Sequence, residues 1–76
     1  MASGQYRDQA LLVKLGKRIK TIREERNWSQ EYFAEICDID TRQLGRIERA
    51  ETNSTISMLQ KIVDKLGMSL SELFEF

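Results

Sequence analysis

From Leu12 onward the apolar residues return at steps of three and four, and the rhythm breaks at four places where residue types that end one helix and start another stand together. A chain written this way folds as short helices packed on one another. The first stripe, Leu12, Leu15, Ile19 and Ile22, predicts a helix reaching about Arg26, with Asn27 as its stop because asparagine tolerates the left-handed conformation. Ser29 is placed to cap a second helix of about eight residues that turns Phe33, Ala34 and Cys37 inward. Asp40 and Gln43 have the spacing of a capping pair and predict a third helix, roughly 41–49, burying Leu44 and Ile47. Its outward residues are then Thr41, Arg42, Gln43, Arg46 and Arg49. Ser54 or Thr55 opens a fourth helix with the stripe Ile56, Leu59, Ile62, Val63 and Leu66, closed by Gly67. Ser69 with Glu72 opens a last short helix carrying Leu70, Leu73, Phe74 and Phe76. The expected fold class is all-α, a compact five-helix bundle over residues 10–76, preceded by a polar and partly flexible lead-in, residues 1–9.

Composition removes most other functions. The 76 residues include no proline, no histidine and one cysteine, which leaves no internal disulfide, no Cys/His zinc cluster and no imidazole base. No nucleophile with a paired base and no glycine-rich phosphate loop stands in the chain, so neither an enzyme, a metal nor a cofactor is expected. The longest apolar run, Ala10 to Val13, is far short of the ~18 to 20 residues of a membrane span, and a soluble, reduced, cytoplasmic protein is expected. Twelve basic residues balance twelve acidic ones, so the total charge says nothing of nucleic acid. Its distribution says more: residues 1–50 hold 10 basic against 8 acidic residues, and residues 51–76 hold 2 against 4. Arg42, Arg46 and Arg49 concentrate positive charge on the third helix, a pattern suited to specific readout rather than bulk attraction.

The most informative stretch is SQEYFAEICDIDTRQLGRIERA, residues 29–50: two short helices around a tight turn, with apolar residues only at Phe33, Cys37, Ile39, Leu44 and Ile47. A small residue, Ala34, stands where the second helix crosses closest to the third, and this arrangement holds the third helix outward for a DNA major groove. With LGKRIKTIREERNWSQEYFAEI, LGRIERAE and TISMLQKIVDKLGMSLSELF, the chain resembles, over about residues 15–74, the helix-turn-helix regulators of the phage repressor and Cro type. The resemblance implies a sequence-specific DNA-binding transcriptional regulator. It implies base reading by Thr41, Arg42, Gln43 and Arg46, phosphate contacts from Ser29 and Gln30, and a structural ion pair between Arg23 and Glu48. Arg49 and Asn53 are further candidates for phosphate. Arginine takes guanine O6 and N7 in two hydrogen bonds and glutamine does the same for adenine, each worth ~1 to 3 kcal/mol of discrimination.

Three positions depart from the family pattern. Asp38 replaces a turn glycine, Gly45 stands where serine is common, and Ala50 replaces the glycine after the Glu-Arg pair. The last predicts a longer or differently bent exit from the third helix, and Gly45 marks either a close backbone approach to DNA or drift. Cys37 reads as packing rather than a redox sensor, Trp28 as a core plug, and Lys14, Lys17, Arg18 and Lys20 as the wet face of the first helix. Leu70, Leu73, Phe74 and Phe76 exceed what so small a core is expected to cover, which predicts a homodimer through the last helix and part of the fourth, on a palindromic operator with half-sites about 34 Å apart. A heterologous partner is the other occupant of that patch. Among family members this short, restriction-modification controllers, phage repressors and antitoxins, the bare five-helix form favours the controller. The alternative function is a protein-interaction module, such as an antitoxin, that keeps the fold. No small-molecule effector is expected.

Overall fold

The computed structural model describes residues 6–76, and the part of the lead-in before Tyr6 lies outside the described residues. Five helices follow in order: α1 (Gln9–Glu25), α2 (Gln30–Cys37), α3 (Thr41–Glu48), α4 (Ile56–Leu66) and α5 (Leu70–Leu73). Each begins at a side-chain oxygen that accepts an otherwise orphaned backbone N–H: Asp8, Ser29, Asp40, Thr55 and Ser69. Ser69 and Glu72 form the reciprocal capping box. Asp40 caps alone, accepting from the Arg42 amide at 2.8 Å and then from its guanidinium at 3.4 Å, and these contacts hold its carboxyl below the usual range. The helix ends are equally local. Asn27, Asp38, Ala50 and Gly67 all take positive φ, between 58° and 70°.

Ala50 corrects the expectation for the exit of α3. The helix is neither longer nor bent away; Arg49 closes it, and Ala50 adopts the left-handed conformation itself at φ 62°. Two donors fix its carbonyl there, the Arg7 guanidinium and the Gln9 side-chain amide, each at 3.0 Å. The lead-in therefore has a docked end at residues 6–9. Asn53 completes the dock by donating to the Tyr6 carbonyl at 2.9 Å.

The core gathers one stripe from every helix: Leu15, Ile19 and Ile22 from α1, Phe33, Ala34 and Cys37 from α2, Leu44 and Ile47 from α3, Leu59, Ile62, Val63 and Leu66 from α4, and Leu73 from α5. Burial raises the Cys37 thiol to about 11, only partly opposed by Lys65 and Lys61, which leaves it inert packing. Trp28 is half-buried rather than a full plug. Its ring packs on Phe33 at 5.5 Å while the Arg26 guanidinium lies over it at 5.2 Å.

Leu73 overturns part of the reasoning about the last helix. It is fully buried by its own chain, and Leu70 is half-buried, so only Phe74 and Phe76 stay exposed from that set. No helix among the described residues is long and apolar enough to cross a membrane.

Candidate nucleic-acid interface

Helix α3 is held from behind by a polar lock and a close backbone contact. Arg23 of α1 donates from Nε and Nη2 to the two carboxylate oxygens of Glu48, at 2.7 and 3.0 Å, and from Nη1 to the Trp28 carbonyl at 2.8 Å. Gln30 of α2 donates to Glu48 Oε1 at 2.9 Å. One carboxylate at the end of α3 thus joins three elements. The side chains of Arg23 and Glu48 are only 10% and 2% exposed, and the Glu48 contact raises the basicity of the guanidinium further against the cost of burial.

Gly16 supplies the backbone contact. A Cβ built on it would lie 2.5 Å from the Glu48 carbonyl oxygen and 2.6 Å from that of Ile47, so α1 reaches α3 at that place only because no side chain intervenes. Gly45 is different. A Cβ there would meet the end of the Arg49 side chain, a mobile neighbour, at 2.9 Å, so the protein's own packing does not demand glycine.

With its inner face fixed, α3 turns Arg42 and Arg46 to solvent, while Thr41 and Gln43 are half-buried beside them. Asp40, Arg42, Gln43 and Arg46, with Thr52 from the following loop, surround an open concavity of about 370 Å³. Arg46 makes no ion pair among the described residues, and Arg42 makes one loose contact to Asp40. Arg49 is engaged in both directions: it donates to Glu51 at 2.9 and 3.2 Å and lies over Gly45. Three of the four candidate reading residues, Arg42, Gln43 and Arg46, are therefore grouped around one outward concavity, with two guanidinium groups unspent or nearly so. Thr41 is half-buried on the side of α3 shared with Gly45 and Glu48 and does not line it.

The candidate phosphate residues are less uniform. Ser29 uses its oxygen to cap α2, accepting from the Tyr32 amide at 3.0 Å, and Gln30 points one amide hydrogen inward at Glu48. Asn53 is tied to Tyr6. Ser54 Oγ is buried beside a smaller concavity of about 130 Å³, lined by Gln43, Ile47, Thr52, Asn53, Ser54, Thr55 and Met58, and has no partner there.

Sequence reasoning missed how α1 spends its cations. Arg18 donates to the Glu72 carbonyl at 3.1 Å and Arg26 to the Leu66 carbonyl at 2.7 Å, so these arginines serve the C-terminal ends of α5 and α4, where helix dipoles favour positive charge. Arg18 is thus not part of a merely wet face, whereas Lys14, Lys17 and Lys20 are exposed. Gly16 was missed as well. The step Leu12, Gly16, Ile19 was the available signal, a glycine on the inward stripe of a helix.

The family model described as helix-turn-helix matches residues 19–73, from the middle of α1 to the end of α5. The chain belongs to the helix-turn-helix family. It is 38% identical over 63 residues to the control protein C.MunI of Mycoplasma sp, covering 82% of this chain and 85% of that one. The restriction-modification controller protein C.AhdI from Aeromonas hydrophila superposes with a TM-score of 0.80 at 31% identity, over 84% of this chain and 97% of that one. The controller protein C.Esp1396I, solved as a tetramer in complex with its natural 35 base-pair operator, superposes with a TM-score of 0.78 at 37% identity, over 86% of each chain. Longer transcriptional regulators also match, and the chain spans 32% of their length. Within the family fold, α2 and α3 are the paired helices, and the concavity beside Arg42 and Arg46 opens on the outward side of the second.

Proposed function

We propose that this chain is a sequence-specific DNA-binding transcriptional regulator of the restriction-controller kind, acting in the cytoplasm as a homodimer on a palindromic operator. The observation that carries the reading is the division of α3 into two sides. Its inner side is locked by Glu48 and Gly16, and its outer side offers Arg42, Gln43 and Arg46 around an open concavity whose one acidic lining residue, Asp40, makes a loose 3.4 Å contact to Arg42. In that role Arg42 and Arg46 donate to guanine, Gln43 takes adenine, and Thr41 supports the same groove. Ser29 and Gln30 present the first amides of α2 to a phosphate, and Arg49 and Asn53 flank the next one. The operator complex of C.Esp1396I supports the partner class, and its tetrameric form supports self-association.

The test begins with DNA selected from a random pool on the parent chain. Arg46→Ala should then weaken binding to the selected site by ~1 to 3 kcal/mol and relax preference at one base position, while the melting temperature stays put. Parent-like affinity and preference in both Arg42→Ala and Arg46→Ala would remove α3 as the reader. For the dimer, Phe74 and Phe76 are the exposed apolar residues of the proposed interface, with Leu70 at its edge and Leu73 beneath it in the core. Sedimentation of Phe74→Ser should show weaker self-association of a folded chain, and an unchanged assembly would discard that interface.

A further inference from the structure

The docked lead-in lies beside the same outward surface. The two concavities share Gln43 and Thr52, the second continues to Asn53, and Asn53 holds the Tyr6 carbonyl. Arg7, the next residue, is clamped by its Nη2 to the carbonyl of Ala50 and to Gln9 Oε1, both at 3.0 Å. That clamp uses one nitrogen of three. None of the ion pairs among the described residues involves Arg7, so its charge is positioned without being neutralised. The Tyr6 side chain beside it is 84% exposed.

We propose that Arg7 is a DNA phosphate contact, a cation that the lead-in places at the α3–α4 loop to engage the duplex backbone next to the bases read by α3. This rests on the DNA-binding reading above. A guanidinium held on a backbone carbonyl loses less freedom when it takes a phosphate than a free surface arginine does, and its remaining Nε–H and Nη1–H groups supply the donors. Gln9 acts as a positioning residue: it donates to the same Ala50 carbonyl and accepts from Arg7, yet carries no charge.

The experiment measures binding of the selected operator across ~50 to 200 mM salt for the parent, Arg7→Ala, Arg7→Lys and Gln9→Ala. One phosphate contact contributes a slope of about −0.9 in log affinity against log salt. The Arg7→Ala slope should be shallower by about that amount, so that the parent's advantage shrinks roughly 3.5-fold across the range. Arg7→Lys should keep the parent slope. Gln9→Ala should weaken binding at an unchanged slope. A binding parent whose slope is retained in Arg7→Ala overturns the Arg7 contact alone, including the case where affinity falls because the loop has loosened. A parent with no salt-dependent binding to any duplex overturns this contact together with the reading beneath it.

Discussion

Replacing Glu48 with glutamine isolates the lock behind α3, because the shape is kept while the charge is removed. In the parent, both carboxylate oxygens accept from Arg23 and one also accepts from Gln30. In Glu48→Gln the new NH₂ must face either the Arg23 Nε–H or its Nη2–H, a donor against a donor, and the buried guanidinium loses its counter-charge. Removing one partner of a buried pair costs ~3 to 5 kcal/mol. A domain of this length has a total stability of about 4 to 11 kcal/mol at 0.05–0.15 kcal/mol per residue, and each kcal/mol moves the melting point by ~4 to 8 °C. The melting temperature should therefore fall by at least ~12 °C, read by circular dichroism and repeated in urea. The double variant Arg23→Met with Glu48→Leu should recover much of the loss, since a packed apolar pair replaces a buried ionic one at little net cost. It will not recover everything. The Trp28 carbonyl and the Gln30 amide each lose a partner, worth ~1 kcal/mol apiece. A Glu48→Gln chain within ~1 kcal/mol of the parent would refute the lock. A double variant less stable than either single one would show instead that the pair is net stabilising.

Two further outcomes test the backbone. Gly16→Ala should lower stability by ~1 to 3 kcal/mol although alanine is the better helix former, because the obstructing atoms are main-chain oxygens of α3; Gly45→Ala, meeting only the Arg49 side chain, should gain up to ~1 kcal/mol in the same melts. Equal behaviour of the two would deny that α1 and α3 touch at Gly16. Ala50→Gly relieves a left-handed residue worth ~1 to 2 kcal/mol but gives up a buried methyl worth ~0.8, so denaturant titration should find a gain of up to ~1 kcal/mol, and a clear loss would contradict the strain.

Local chemistry made much of this molecule legible. The caps at Ser29, Asp40, Thr55 and Ser69 and the stops at Asn27 and Gly67 act within a few residues of themselves, so their residue types announce them. Arg42, Arg46 and Arg49 of the outward set of α3 follow from helical spacing for the same reason, whereas Thr41 and Gln43 are half-buried. Contacts across the chain did not announce themselves. Gly16 answers to carbonyls more than 30 residues later, Arg26 to one 40 residues away and Arg7 to one 43 away, and nothing in their neighbours' identities encodes that. Leu73 belongs to this class too: whether a short terminal helix is covered depends on the room that α1 and α4 leave for it. The partner of Asn53 is the Tyr6 carbonyl, an atom carried by every residue type, so no side-chain identity announces that contact.

The bare approach of α1 to α3 at Gly16 has a consequence for how this protein can diversify. Because the rod is seated by main chain and by a carboxylate at its far end, its exposed side chains carry almost none of the burden of keeping it in place. On the proposed reading of α3, descendants can trade Arg42, Gln43 or Arg46 for other residues and acquire a new genetic address while the scaffold beneath stays as it is.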